Sequence, residues 1–141
     1  MNIKHIDYHL QDEFLNQPGK EKTIRTLDVV KKFNSAFQRH DASILKDIIA
    51  ENCVMESAMP APDGFTVEGY EDNFIFWENM INAPDTQFNP EVIDTFGEKA
   101  IIQWRFWWGK NPKHSIRGVT LLTIKNEKVA EAKGYVKGEL K

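Results

Sequence analysis

A single cysteine, Cys53, occurs in the 141 residues, which excludes an intrachain disulfide framework and a thiolate metal cluster. Neither sign of charge is in large excess: 18 Lys and Arg oppose 21 Asp and Glu, for a formal net charge of −3. Grasping a phosphate backbone requires a clustered basic surface, so nucleic acid is not an expected partner. No apolar run approaches the ~18–20 residues of a membrane span. Residues 1–10, which include His5, Asp7 and His9, lack the apolar centre of a secretory signal. Repeats, low-complexity tracts and glycine-rich phosphate loops are also missing. The expectation is a cytoplasmic single domain with no membrane partner, no resident metal and no cofactor.

Aromatic residues are abundant: nine Phe, four Trp and three Tyr, 11% of the chain. A domain of this length buries roughly two thirds of its unfolded surface, enough for a core without covalent staples. Residues 1–22 are polar, weakly periodic and punctuated by Pro18-Gly19, and read as an extension preceding a domain at 23–141. From Thr23, Ile24, Leu27, Val30, Phe33 and Phe37 recur at helical spacing, with Thr23 as the expected N-cap. His40-Asp41 interrupts that pattern, and Asp41 caps a shorter stripe of Ile44, Leu45, Ile48 and Ile49. Residues 53–57 read as a strand, 59–64 (MPAPDG) as a loop, and 65–68 as a brief return strand. A third helix over 70–82 carries Phe74, Trp77 and Ile81. Strands follow at 88–96, 100–108, 114–124 and 129–137, separated by short turns. Helices first and an antiparallel meander last make an α+β layout.

Strand periodicity assigns faces. A two-residue turn at Asn126-Glu127 sets Leu122 opposite Glu131, Thr120 opposite Lys133 and Gly118 opposite Tyr135. Placing Trp108 beside His114 sets Phe106 by Ile116 and Trp104 by Gly118. One face then holds Trp104, Phe106, Trp108, His114, Ile116, Gly118, Thr120, Leu122, Glu131, Lys133 and Tyr135. Aromatics mixed with a few polar groups suit a small-molecule pocket, or equally a core face whose polar members emerge at the rim. The other face holds Gln103, Arg105, Trp107, Arg117, Val119 and Leu121, where the two arginines need acidic partners.

The ordered series FNSAFQRHD (33–41), AENCVMES (50–57), PAPDG, EGYEDNFIFW (68–77), WRFWWG, IRGVTLLTI and VAEAKGYVKG resembles the SnoaL-like and ketosteroid-isomerase-like proteins of the nuclear transport factor 2 superfamily. The likeness covers about residues 23–138. It implies a cone-shaped, cystatin-like α+β roll in which a curved antiparallel sheet wraps three helices and leaves a hydrophobic cavity. It also implies a homodimer. Members of this family include isomerases, cyclases, hydrolases and non-catalytic binding modules, so the fold does not give the function.

Ketosteroid isomerisation needs a carboxylate base and two acidic donors for the enolate oxygen. Carried onto this chain, the base position falls on Ser57 and the donor positions on Phe33 and Thr120, none of which has the required group. Glu56 is excluded because neighbouring strand residues face opposite ways. Remaining acid–base candidates are His114, Glu131 and Tyr135, with Lys133 as an ion-pair partner of Glu131 or, less simply, a Schiff-base nucleophile. His40-Asp41 reads as a helix cap, His5 and His9 lack a third metal ligand, and Cys53 reads as a core thiol. The expected ligand is a small apolar molecule held by Phe33, Ser57, Trp104, Phe106, Trp108, Thr120, Lys133 and Tyr135.

Overall fold

The computed structural model describes residues 19–138; the expectations for His5, Asp7 and His9 lie outside these. Two α-helices, α1 (Gly19–Gln38) and α2 (Tyr70–Asn82), and one 3-10 helix (Ala42–Asp47) pack on a six-stranded sheet. The strands are β1 (Ile49–Glu56), β2 (Thr66–Glu68), β3 (Thr86–Phe96), β4 (Lys99–Trp108), β5 (His114–Lys125) and β6 (Lys128–Lys137), in the order β2-β1-β6-β5-β4-β3. All neighbours are antiparallel except β1 and β6, which run parallel. This is the expected α+β cone, with one parallel junction where a purely antiparallel sheet was expected.

Helix α1 presents Thr26, Val29, Val30, Phe33, Ala36 and Phe37 as one buried stripe, the i, i+3, i+4 pattern of an amphipathic helix. It begins at Gly19, ahead of the expected cap at Thr23 and inside the expected extension. Thr23 does other work: its Oγ1 accepts the Gly97 backbone N–H at 2.8 Å, tying the helix to the β3–β4 turn. The second helical stripe is a 3-10 segment instead of an α-helix. Asp41 caps it as expected, accepting from the backbone N of Ser43 at 3.0 Å. Those Ser43 hydrogen bonds hold the Asp41 carboxyl below its usual range. Leu45 anchors the segment, fully buried. His40 Nδ1 lies 2.8 Å from Ile81 O at the end of α2, and Nε2 lies 3.1 Å from Gln87 Oε1 on β3, so the ring bridges these elements and takes no part in a dyad with Asp41.

Helix α2 buries Asn73, Trp77 and Ile81 along one edge. The Asn73 Nδ2 group donates to the carbonyls of Cys53, Val67 and Gly69 at 3.0, 3.2 and 2.8 Å. A buried carbonyl without a partner is costly, and this one amide serves β1, the middle of β2 and the start of α2. Cys53 lies fully buried behind it, and burial pushes its thiol up to about 12, with the nearby Glu131 charge adding to the shift.

Two of the antiparallel pairings are each interrupted by one extra residue. Pro90 pairs with Trp104 and Val92 with Gln103, leaving Glu91 extra on the edge strand β3. Ile124 pairs with Val129 and Thr123 with Glu131, leaving Ala130 extra on β6. Bulges of this kind bend and twist a strand. Glu91 uses its position to answer the two arginines: Oε1 accepts from Arg117 Nε and Nη2 at 3.0 and 2.9 Å, and Oε2 lies 3.8 Å from Arg105 Nε. Arg105 and Arg117 are direct cross-strand partners, as the face assignment expects.

Replacing Asn73 by Ala removes the two N–H donors that three carbonyls share inside a sealed site and should lower unfolding stability by roughly 2–4 kcal/mol. Urea denaturation checks this; a loss under about 0.5 kcal/mol would show that the amide is dispensable.

Candidate functional site

Between the helices and the concave face of the sheet lies a cavity of about 370 Å³. Side chains reach it from α1, α2 and every strand but β2. Its walls are almost wholly apolar. Phe33 and Phe37 come from α1, Phe76, Trp77 and Met80 from α2, and Met55 from β1. Phe88 and Pro90 come from β3, and Ile102, Trp104, Phe106 and Trp108 from β4. Ile116 and Thr120 of β5 and Ala132, Gly134 and Val136 of β6 complete the concave wall.

The rings form a connected series. Phe33 meets Trp77 edge-on at 5.3 Å and Phe37 at 5.1 Å; Phe37 meets Phe88 at 5.3 Å. Phe88 then touches Trp104 at 5.1 Å and Phe106 at 4.5 Å. Phe106 stacks with Trp108 at 5.8 Å, and Trp108 with His114 at 5.6 Å. Edge-to-face and offset contacts at these distances are favourable beyond simple burial, so the rings hold one another in place around the space. The cavity reaches solvent where Met59 and Trp108 are 57% and 39% exposed.

Trp104 is fixed from two sides. Its indole N–H donates to Thr120 Oγ1 at 2.8 Å, and its six-membered ring lies over Gly118 on the next strand. A Cβ at Gly118 would sit 2.4 Å from the Trp104 ring and 2.5 Å from the Tyr135 carbonyl oxygen, closer than atoms can approach. The missing side chain is therefore what lets the ring lie flat against the sheet.

Of the expected site residues, Phe33, Ser57, Trp104, Phe106, Trp108 and Thr120 all line the cavity. Lys133 and Tyr135 do not, nor does Glu131. The register beyond the turn is one residue away from the expected one: Thr120 pairs with Gly134, Gly118 with Val136 and Leu122 with Ala132. The extra Ala130 turns Glu131, Lys133 and Tyr135 onto the convex face, opposite Thr123, Leu121 and Val119. The physical reason is burial. Without the bulge, Glu131 and Lys133 would enter an apolar cavity, where unpaired charge is expensive. His114 pairs with Trp108 as expected, but it is exposed and outside the cavity wall, stacked on the outer ring of the aromatic series. The structure thus does not bring His114, Glu131 and Tyr135 together in the cavity.

Ser57 is buried, and its hydroxyl is fully engaged: it donates to Met59 O at 2.6 Å and accepts from Phe65 N at 3.0 Å. It closes the base of the 59–64 loop. Glu56 pairs with Lys133 across the parallel junction, one residue after Met55 pairs with Ala132, so it alternates away from the cavity. Asn34, Met55, Met59, Met80, Phe88, Ile116 and Val136 are wall residues that the sequence did not single out as ligand contacts. For Asn34 the only signal was a polar residue beside the apolar stripe of α1. Among the described residues no group of three His, Cys, Asp or Glu is placed to hold a metal ion, and no helix is long and apolar enough to cross a membrane.

Comparison with known proteins agrees with this architecture. The model of the SnoaL-like domain family matches residues 30–132, the greater part of the chain. This chain belongs to the SnoaL-like family. Among solved structures, the SnoaL-like chain is 37% identical to an NTF2-like protein of unknown function from Mesorhizobium loti, with a TM-score of 0.79, covering 83% of this chain and 94% of that one. It also shares its fold with a candidate ketosteroid isomerase from Kribbella flavida (17% identity, TM-score 0.71, covering 84% and 82% of the two chains). A third likeness is to an epoxide hydrolase from M. tuberculosis (12% identity, TM-score 0.63, covering 82% and 84%). At those identities the likeness is one of fold alone. Curated proteins offer no significant match.

The Gly118–Trp104 contact gives a sharp expectation. In Gly118→Ala the Trp104 ring must leave the sheet, breaking its bond to Thr120. Stability should fall by about 1–3 kcal/mol, the range for overpacking, and the tryptophan emission should shift. An unchanged spectrum and melting temperature would contradict the role given to Gly118.

Proposed function

We propose that this SnoaL-like protein binds a small, largely apolar molecule in the cone cavity. The observation that carries the reading is the open, pre-formed space of about 370 Å³ walled by rings that brace one another. Cavities of several hundred Å³, mostly apolar with few polar groups, are the usual form of small-molecule sites. Had Trp104, Phe106 and Trp108 filled the cone, an interaction module without a ligand would have been the better reading. An enzyme using His114 with Glu131 or Tyr135 loses its support, because those groups stand outside the cavity. With Ser57 committed to its loop, and Phe33 and Thr120 at the positions of the acidic donors, steroid isomerisation has no base to proceed through.

We propose also that the chain pairs with a second copy through its convex face. Val92, Leu121 and Tyr135 are exposed there by 46%, 38% and 50%, beside Trp107 and the Arg105–Glu91–Arg117 cluster. Tyr, Trp and Arg are the residues enriched at interfaces.

Naphthalene is a suitable first probe, followed by isothermal titration or tryptophan quenching. Wild-type protein should bind it, and Ile116→Trp, which fills the cavity beside Phe106, should weaken binding at least about tenfold while keeping the fold. Equal affinity in the two proteins, or no binding by the wild type, would refute the cavity as the site. For the pairing, native mass spectrometry should find two chains in the wild type and one in Leu121→Glu. A monomeric wild type contradicts that part.

A further inference from the structure

Four polar residues border the cavity, and their hydrogen-bonding capacity is unequally spent. Glu56 is directed to the other face by strand alternation. The Ser57 hydroxyl both donates and accepts within its own loop. Thr120 Oγ1 accepts from the Trp104 indole, while its own proton goes to no protein acceptor. Asn34 Nδ2 is sealed from solvent and has no partner at all.

Asn34 is the unusual member. It sits in the middle of α1, where asparagine is a poor helix former, on the flank of the stripe between Val30 and Phe37, one turn away on either side. Its Nδ2 holds no carbonyl of a neighbouring element, unlike Asn73, which satisfies three. Leaving a buried donor unmade destabilises the folded state, and the fold gains no hydrogen bond from this one. An acceptor delivered by a ligand would relieve it. Torsion about the Asn Cβ–Cγ bond is broad, which leaves Nδ2 free to turn toward the space that Asn34 already borders.

Building on the ligand-binding reading above, we propose that the cavity takes a neutral, mostly apolar molecule bearing one hydrogen-bond acceptor, a carbonyl or ether oxygen, and that the Asn34 amide donates to that oxygen. The Thr120 hydroxyl, held in place by Trp104, is the second available donor. Neutrality follows from the walls. No Lys, Arg or His lines the cavity to meet an anion, and the one carboxylate at its edge, Glu56, alternates away from it.

Two probes of nearly equal shape test this: 2-acetylnaphthalene, with a C=O, and 2-isopropenylnaphthalene, with C=CH2 in its place. Wild-type protein should bind the ketone about three- to tenfold more tightly by titration calorimetry, the worth of one net hydrogen bond. In Asn34→Leu the preference should reverse, since the carbonyl must then shed water without recompense. The infrared C=O band of the bound ketone should lie below its position in hexane for the wild type and return toward it in the variant. If the variant fails to fold, the wild-type preference and band position decide alone. A wild type that binds the alkene at least as tightly, with the carbonyl band at its hexane position, overturns the role of Asn34 while leaving the apolar pocket intact. A wild type that binds neither probe defeats the pocket reading itself.

Discussion

Strand β6 carries one residue more than β5 between two of their cross-strand pairs, Ile124 with Val129 and Thr123 with Glu131. That residue, Ala130, decides the chemistry of the cavity. Before it Val129 faces the core; after it Ala132, Gly134 and Val136 do. An unbroken alternation would instead carry Glu131, Lys133 and Tyr135 inward. Because the side-chain period of a strand is two, a shift of one residue exchanges the faces completely. The cost of burying Glu131 and Lys133 favours the bulged register, and the same choice leaves an apolar wall. The parallel neighbour β1 follows it, with Met55 beside Ala132.

The rest of the site depends on that wall. Small residues at 132 and 134 leave space on the β6 side, and on the β4 side Trp104 lies flat because Gly118 has no side chain. Phe88 of β3 then meets Trp104 edge-on and Phe106 at a tilt, and the helix rings join the series through Phe37, which meets Phe88, and Phe33, which meets Trp77. Space of this kind survives only when its lining is held elsewhere, since a close-packed interior otherwise collapses or fills. Here the holding is done by ring-to-ring contact and by polar links at the margins: Asn73 under β1, Ser57 at the loop and Thr120 behind Trp104.

Much of this was legible in the sequence, for reasons that can be named. The amphipathic stripe of α1, the span of α2 and the four long strands follow from strong periodicity. The pairing of β4 with β5 follows from parity, and Trp104–Gly118, Phe106–Ile116 and Trp108–His114 lie as expected. The pairing of β5 with β6 differs from the expected one by a residue, since bulges leave no residue-level signature as clear as a turn does. A signal was present nonetheless: Val129 and Ala132 are three apart, an odd spacing that one extra residue reconciles. The 3-10 form of 42–47 and the start of α1 at Gly19 were hidden because periodicity over so few residues does not separate 3-10 from α, and helix ends are weakly encoded. Asn34 escaped notice because a polar residue beside an apolar helix stripe is ordinary until its partners are known.

The central claim is that the cone encloses an apolar space whose walls are braced ring against ring. Xenon enters dry apolar cavities and avoids polar, water-filled ones. Crystals of the protein equilibrated under xenon pressure should show the heavy atom between Trp104, Phe88 and Ile116. Ordered water chains in that space, or side chains occupying it with no xenon bound, would contradict the account.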